Sequence, residues 1–230
     1  NIYNNSMCGI FAMFHILSKE QLSKRYNCIE DHYYKGRSRG PEYSTLNTIN
    51  DNVIFGFHRL AINGIDEISN QPIVIDGVYL ICNGEIYNYK NIYSMLNITP
   101  KTNSDCEAII HLYKKYGIEY TLQMLDGVFA FSLYDSNINK CFVARDPFGV
   151  RPLYVGISSI YDINSGISDD STSSFENSVS SEAAVHGNDL INDIDSPAAT
   201  MNDLHNHYLN DTFNDIIIEK HSNMIVYSSL

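Results

Sequence analysis

Cys8 follows Met7 directly and precedes Gly9. Initiator methionine is removed efficiently when the next side chain is small, so a start at Met7 would leave Cys8 as the first residue, carrying both a thiol and a free amine. An α-amino group, with an unperturbed pKa of about 7.7 to 8.0, can take the thiol proton, which is the chemistry of an N-terminal nucleophile. The plainer alternative is a small buried strand residue, the common fate of cysteine. Further residues bear on that choice. Asn83-Gly84 follows the apolar run 78–82 and sets a side-chain amide beside a backbone N–H at a strand end. Two such donors can hold a developing oxyanion, and losing one costs roughly 2.7 to 4 kcal/mol of transition-state stabilisation; the same dipeptide is also an ordinary turn. Arg59 stands within the apolar stretch 55–62, where a charge must be paired or face a cavity. Its planar guanidinium suits a ligand carboxylate, and an internal salt bridge would satisfy it equally well. Glu85 and Asp105 lie near two expected helix starts; either can bind an ammonium group, and Asp105 can equally complement a helix dipole. Together these groups imply a substrate with an α-carboxylate, an α-ammonium and an acyl carbon open to thiolate attack. An amino acid with a side-chain amide fits that description, although spacing alone does not single it out.

The elements that must position these residues are regular in the first 157 positions. Residues 8–14 form an apolar run of strand length, and the polar stretch 18–34 reads as a helix. Strands are expected over 53–62 and 73–82, the second folded on itself by a turn at Asp76-Gly77. Residues 87–96 read as a short helix. Ser104 and Glu107 have the spacing of a capping box ahead of Ala108, Ile109, Leu112 and Tyr113, which share one helical face, and Gly117 is the expected stop. A further helix at 119–125 precedes an antiparallel pair, 128–134 and 140–145, around a turn at 135–139. Residues 153–157 add a strand, and 216–218 and 224–227 look like two short closing strands. Many hairpin-connected strands with a few helices indicate an α+β layered fold.

Composition bounds the function. The chain has 230 residues, 44% of them hydrophobic, and a formal net charge of -12, so it can bury a sizeable core but lacks the clustered Lys and Arg that a nucleic-acid partner demands. Twelve of the 27 acidic residues fall between Arg151 and Lys220, where no Lys or Arg occurs, which leaves 15 acids to balance the 15 bases elsewhere. The densest part of that segment, 158–181, is rich in Ser, Asp and Asn and reads as a solvated acidic insert. The stretch 188–215 reads as polar with a marginal helix, its i, i+4 pairs being Leu204 with Tyr208 and Leu209 with Phe213. No run approaches the roughly 18 apolar residues of a membrane-spanning helix, and no basic-then-apolar leader is present. A soluble, cytoplasmic protein with neither membrane nor nucleic-acid partner is expected. Five cysteines without a CxxC pair fit a reducing compartment better than a disulfide framework, and no metal site is expected. Cys28, Cys82, Cys106 and Cys141 read as structural; His15, His58 and His111 read as packing or hydrogen-bonding residues.

Seven motifs occur in order: Met7-Cys8-Gly9-Ile10-Phe11, Arg37-Ser38-Arg39-Gly40-Pro41-Glu42, His58-Arg59-Leu60-Ala61-Ile62, Asn83-Gly84-Glu85-Ile86-Tyr87-Asn88, Ser104-Asp105-Cys106-Glu107, Asp126-Gly127-Val128-Phe129-Ala130-Phe131 and the segment 144–154 around Asp146-Pro147-Phe148-Gly149-Val150-Arg151. In this combination residues 7–157 resemble the class II glutamine amidotransferase domain of glutamine-hydrolysing asparagine synthetases. Ser181-Glu182-Ala183-Ala184 is similar to a short motif that follows the family's last long hairpin. The resemblance implies a four-layer αββα sandwich of the N-terminal-nucleophile hydrolase type with Cys8 at the end of a central strand. It implies that Cys8 attacks the glutamine carboxamide with its own amine as base, that Asn83 and Gly84 stabilise the oxyanion, and that Arg59, Leu60, Ile62, Glu85 and Asp105 bind glutamine, Arg59 at the carboxylate and the two acids at the ammonium. The ammonia is expected to pass to a synthetase domain that uses ATP and magnesium to convert aspartate to asparagine; this segment itself is expected to need no cofactor. Another class II glutaminase domain and a catalytically inactive glutamine-binding module are the alternatives. Pairing of two subunits is a further implication.

Departures from the family pattern are informative. Residues 1–6 precede Met7 and read as an expression remnant, leaving 7–230 as the amidotransferase domain with its insert at about 158–180. While they stay attached, the nitrogen of Cys8 is an amide and cannot act as base. No Ser-Gly-Gly-x-Asp-Ser loop for pyrophosphate occurs, so the synthetase domain is expected to lie outside this sequence. Asn103 replaces the family's usual Gly, and Asn63-Gly64 its usual Val-Asp.

Overall fold

A computed structural model describes residues 7–14, 17–61, 66–158 and 223–227. Strand β1 (Gly9–Phe14) leads to helix α1 (Lys19–Lys35). Ser18 caps that helix: its Oγ accepts from the Gln21 N–H at 3.2 Å while the Gln21 side chain accepts from the Ser18 N–H at 2.9 Å. Strands β2 (Tyr43–Asn50) and β3 (Val53–Arg59) follow, then β4 (Ile73–Ile75) and β5 (Val78–Ile86). Asp76 (φ 49°) and Gly77 (φ 81°) make the tight turn between β4 and β5 that the sequence predicts. Helices α2 (Tyr89–Leu96) and α3 (Glu107–Met124) precede the hairpin of β6 (Gly127–Asp135) and β7 (Lys140–Arg145), and β8 (Tyr154–Ser158) and β9 (Asn223–Tyr227) complete the described elements. One sheet runs β2-β3-β1-β9-β8 and the other β4-β5-β6-β7.

Three apolar cores result. Met13, Leu17, Ile29 and Ile54 pack α1 on the outer face of the five-stranded sheet. Ile10, Phe14, Phe55, Phe57, Ile81 and Tyr134 fill the space between the sheets. Leu80, Ile109, Leu112, Phe131 and Leu133 join the four-stranded sheet to α2 and α3. Successive strand residues point to opposite faces, so every second position enters the same core. Ile10, Ala12 and Phe14 of β1, and Val53, Phe55 and Phe57 of β3, therefore face the other sheet, whereas Met13 and Ile54 face α1.

Several expectations change. Strand β5 runs on past Cys82 to Ile86, with Asn83 opposite Ala130 and Gly84 opposite Phe129 of β6, so Asn83-Gly84 lies inside a strand and not at its end. A Cβ on Gly84 would sit 2.3 Å from Val128 O, so glycine is required there by the approach of β6. Strand β3 ends at Arg59, three residues short of the expected limit. The capping box at Ser104 and Glu107 does not form. Cys106 is the N-cap with no side-chain cap bond, and the buried Glu107 carboxylate instead accepts from the Lys101 and Thr102 N–H groups at 2.8 and 2.6 Å. Helix α3 breaks at Gly117 (φ 81°, ψ 174°) where the stop is expected, then resumes to Met124. Strand β2 has no counterpart in the sequence pattern, because this edge strand buries no residue and lacks alternation. The expectations for residues 1–6, His15, the insert beyond Ser158, the stretch 188–215, the motif at 181–184 and the strand at 216–218 lie outside the described residues.

Candidate active site

Alternation along three strands carries the polar residues into the same space as the core between the sheets. Cys8 continues the inward series of Ile10, Ala12 and Phe14, Arg59 continues that of Val53, Phe55 and Phe57, and Asn83 and Glu85 continue that of Tyr79 and Ile81. The antiparallel register of β1 and β3 pairs Gly9 with His58, so one step further sets Cys8 across from Arg59. Cys8, Arg59, Leu60, Asn83, Gly84, Glu85 and Asp105 consequently line one pocket. Ile62 lies outside the described residues.

The thiol of Cys8 is half-buried and tied to Leu60, whose N–H donates to Sγ at 3.3 Å and whose carbonyl lies 3.3 Å from Sγ. Burial pushes the Cys8 thiol above its ordinary value; the Leu60 hydrogen bond opposes this, as do the positive charges of Arg59 and Arg151, while Cys106 adds to it. The resting sulfur is therefore a thiol at neutral pH and needs a base. Arg59, nearly buried, donates through Nη1 to Asp66 O at 2.9 Å and to Asn70 Oδ1 at 2.5 Å. Both are uncharged oxygens that orient the guanidinium, and the Asp66 carboxylate lies within reach of its charge. Asn83 is 3% exposed, and its Nδ2 has no hydrogen-bond partner. A buried donor left unbonded costs about 1 to 3 kcal/mol, so its presence in a pocket wall marks a place for an acceptor. Asp105 is buried and accepts from the Ile86 N–H at 2.6 Å through Oδ2.

Other residues of the pocket escape sequence reasoning. Gln71 reaches back to β5, donating to Cys82 O at 3.0 Å and accepting from Cys82 N at 2.5 Å, and so extends the pairing of β5 beyond β4 with a side-chain amide. Arg151 lines the pocket and donates to Met7 Sδ, so the residue before the thiol occupies the same space. The turn that delivers Arg151 is built on Asp146, 1% exposed, whose carboxylate accepts from the N–H groups of Phe148, Val150 and Arg151 at 3.0–3.2 Å. Cys82 and Cys106, read as structural, are buried and also reach the pocket wall. His58 has a structural place: it stacks on Tyr33 at 4.1 Å and bonds Tyr33 O and Ser44 Oγ. His111 bonds Glu107 at 2.8 Å.

Comparison with known proteins matches residues 7–199 to a family model described as a glutamine amidotransferase domain. The glutamine-hydrolyzing asparagine synthetase of Gallus gallus is 44% identical over 154 residues, covering 64% of this chain and 26% of that protein. The Homo sapiens enzyme of the same name is 43% identical over 154 residues with the same coverage. The chain thus spans about a quarter of the length of the curated relatives it matches. Among solved structures, a glutamine phosphoribosylpyrophosphate amidotransferase from B. subtilis superposes with a TM-score of 0.51 at 22% identity, covering 66% of this chain and 40% of that one. That likeness is one of fold. No helix among the described residues is long and apolar enough to cross a membrane.

Proposed function

The chain belongs to the glutamine amidotransferase domain family, and from that membership we propose that it hydrolyses glutamine to glutamate and ammonia through a thioester on Cys8. One observation carries the reading: the Cys8 thiol, the Arg59 guanidinium and the unpartnered Asn83 amide meet in a single pocket between two sheets. The three stacked cores support the finer assignment of a four-layer αββα sandwich of the N-terminal-nucleophile type.

In this mechanism Arg59 binds the glutamine α-carboxylate, Glu85 and Asp105 bind the ammonium, and Leu60 and Ile62 provide neighbouring contacts. The Cys8 α-amine, free once the Met7–Cys8 peptide is cleaved, takes the thiol proton. The thiolate adds to the carboxamide carbon, and the charge that develops on its oxygen is met by Asn83 Nδ2 and the Gly84 N–H. Collapse breaks the C–N bond; the protonated amine returns its proton to the departing nitrogen, and ammonia leaves. Water then attacks the thioester carbon, giving its proton to the amine and thence to the thiolate, so that glutamate leaves and the thiol is restored. Before cleavage the nitrogen of Cys8 is an amide, and Met7 lines the pocket with its sulfur bonded to Arg151; the uncleaved form is inactive on both counts. The similarity to asparagine synthetases extends the reading to a cytoplasmic enzyme longer than this chain. There the ammonia reacts with an aspartate activated by ATP, with magnesium, on a separate synthetase domain.

The test compares the protein started at Met7, with Cys8 verified as its first residue by mass spectrometry, against the form that keeps residues 1–7. The cleaved form is expected to release glutamate from glutamine and the extended form to release none. An inert cleaved form would overturn the glutaminase reading in favour of a glutamine-binding module.

A further inference from the structure

Two loops meet beside the pocket. One leaves β3 and contains the short 3-10 turn Glu67–Ser69; through Asp66 O and Asn70 Oδ1 it holds the Arg59 guanidinium. The other enters α3 and presents Ser104 and Asp105. Side chains join them directly. The Asp66 carboxylate accepts from Ser69 N–H at 3.0 Å and from Ser69 Oγ at 2.6 Å on Oδ1, and from the Asn103 amide on Oδ2. Ser69 Oγ in turn accepts from the Asn103 N–H at 3.1 Å. Asp66 is thus both the hub of this network and, through its carbonyl, a support of Arg59. Asn103 is separated from Asp105 by one residue, and the segment just before it is fixed by Glu107 through the Lys101 and Thr102 N–H groups. Asn103 itself is exposed, so its bonds are not a by-product of core packing.

We propose that Asn103 is a positioning residue for substrate recognition: its bonds to Asp66 and Ser69 latch the loop that holds Arg59 to the loop that presents Asp105. The inference rests on the glutamine reading of the pocket. The carboxylate and ammonium of an α-amino acid share one carbon, so the cation and the anion that read them must keep a set separation. A displacement of about 1 Å in such a pair can cost on the order of a hundredfold. Each loop leans on a different sheet or helix, and the latch converts two independent placements into one.

Glutamine binding to a Cys8→Ala background, measured by calorimetry, separates recognition from turnover; steady-state rates in the active protein complete the test. Asn103→Ala, by freeing the two loops from each other, is expected to raise the glutamine Kd and KM about tenfold, with kcat changed less than about twofold and the melting midpoint lowered by no more than a few degrees. Asn103→Asp sets two carboxylates face to face and should weaken binding further. Adding Asp66→Asn to it exchanges donor and acceptor, keeps the Ser69 bonds on the amide oxygen, and should restore Kd to within about threefold of the parent. An unchanged Kd in Asn103→Ala, or a double exchange no better than Asn103→Asp alone, would overturn the latch while leaving the glutaminase reading intact. Failure of the parent to bind glutamine would instead overturn that reading, and the latch with it.

Discussion

Strands β5 and β6 face two interiors that are built to opposite rules. On the helix side, Leu80, Phe131 and Leu133 pack against Ile109 and Leu112 in a core of apolar side chains, closed at one edge where Tyr113 donates to Asp135 at 2.9 Å. On the side facing the other sheet, the interior begins the same way, with Phe14, Phe55, Ile81 and Tyr134. It ends in a thiol, a guanidinium, carboxylates and an amide nitrogen with no partner. One residue along a strand exchanges one interior for the other. The first interior is spent on stability; the second gives up some stability at its open end, where the buried Asn83 amide nitrogen has no partner.

Substitutions on the two faces should therefore separate cleanly. Phe131→Ala, on the helix side and fully buried, should cost about 3 to 5 kcal/mol of unfolding free energy, read by denaturant titration, while the folded fraction keeps its KM for glutamine. Asn83→Ala, on the pocket side, should lower kcat by roughly a hundred- to a thousandfold, about 2.7 to 4 kcal/mol in the transition state, with a melting midpoint at or above the parent's because it removes a buried donor that bonds nothing in the free protein. A large loss of stability in Asn83→Ala, or of kcat in folded Phe131→Ala, would break the distinction. The smallest effect concerns Glu107, buried at the start of α3. Burial works to raise its pKa, but the bonds from His111 and from Lys101 and Thr102 outweigh this and hold it at about 2, below the 4.5 of a free glutamate. Its contribution to stability is complete above about pH 4.5 and is lost as pH falls toward 2. Glu107→Gln should flatten the acid limb of the stability curve over that window and cost about 1 to 3 kcal/mol at neutral pH, with both changes read from unfolding titrations at several pH values.

The sequence makes part of this legible, and the limits have physical causes. The β4–β5 turn at Asp76-Gly77, the break at Gly117 and the strand at β1 follow from local chemistry that no distant contact overrides. Arg59 is conspicuous because a charge in an apolar run demands a reason, and Asn83-Gly84-Glu85 belongs to a motif that resembles a known family. The same residues hide the rest of β5, since a polar stretch inside a strand reads as the end of that strand. Ser104 and Glu107 have capping-box spacing, yet Glu107 is drawn into the interior by two backbone N–H groups and a histidine, a tertiary arrangement that spacing does not encode. Gln71 acts through Cys82, 11 positions away, and Arg151 through Met7, 144 positions away, while Asp146 holds N–H groups 2 to 5 positions along its own turn. Single-residue pattern reading has no signal for them except that Asp146 and Arg151 fall within a family-like segment. Strand β2 is missed because an edge strand that buries no residue carries no alternation.

In the proposed mechanism the Cys8 sulfur becomes covalently acylated. The decisive measurement is acid-quenched mass spectrometry of the protein cleaved to begin at Cys8, mixed with glutamine and digested. A glutamyl group is expected on the peptide that starts at Cys8, released by hydroxylamine, and it should disappear together with all glutamate release in Cys8→Ala. Glutamate release that survives Cys8→Ala, or a glutamyl adduct on another residue, would contradict the mechanism.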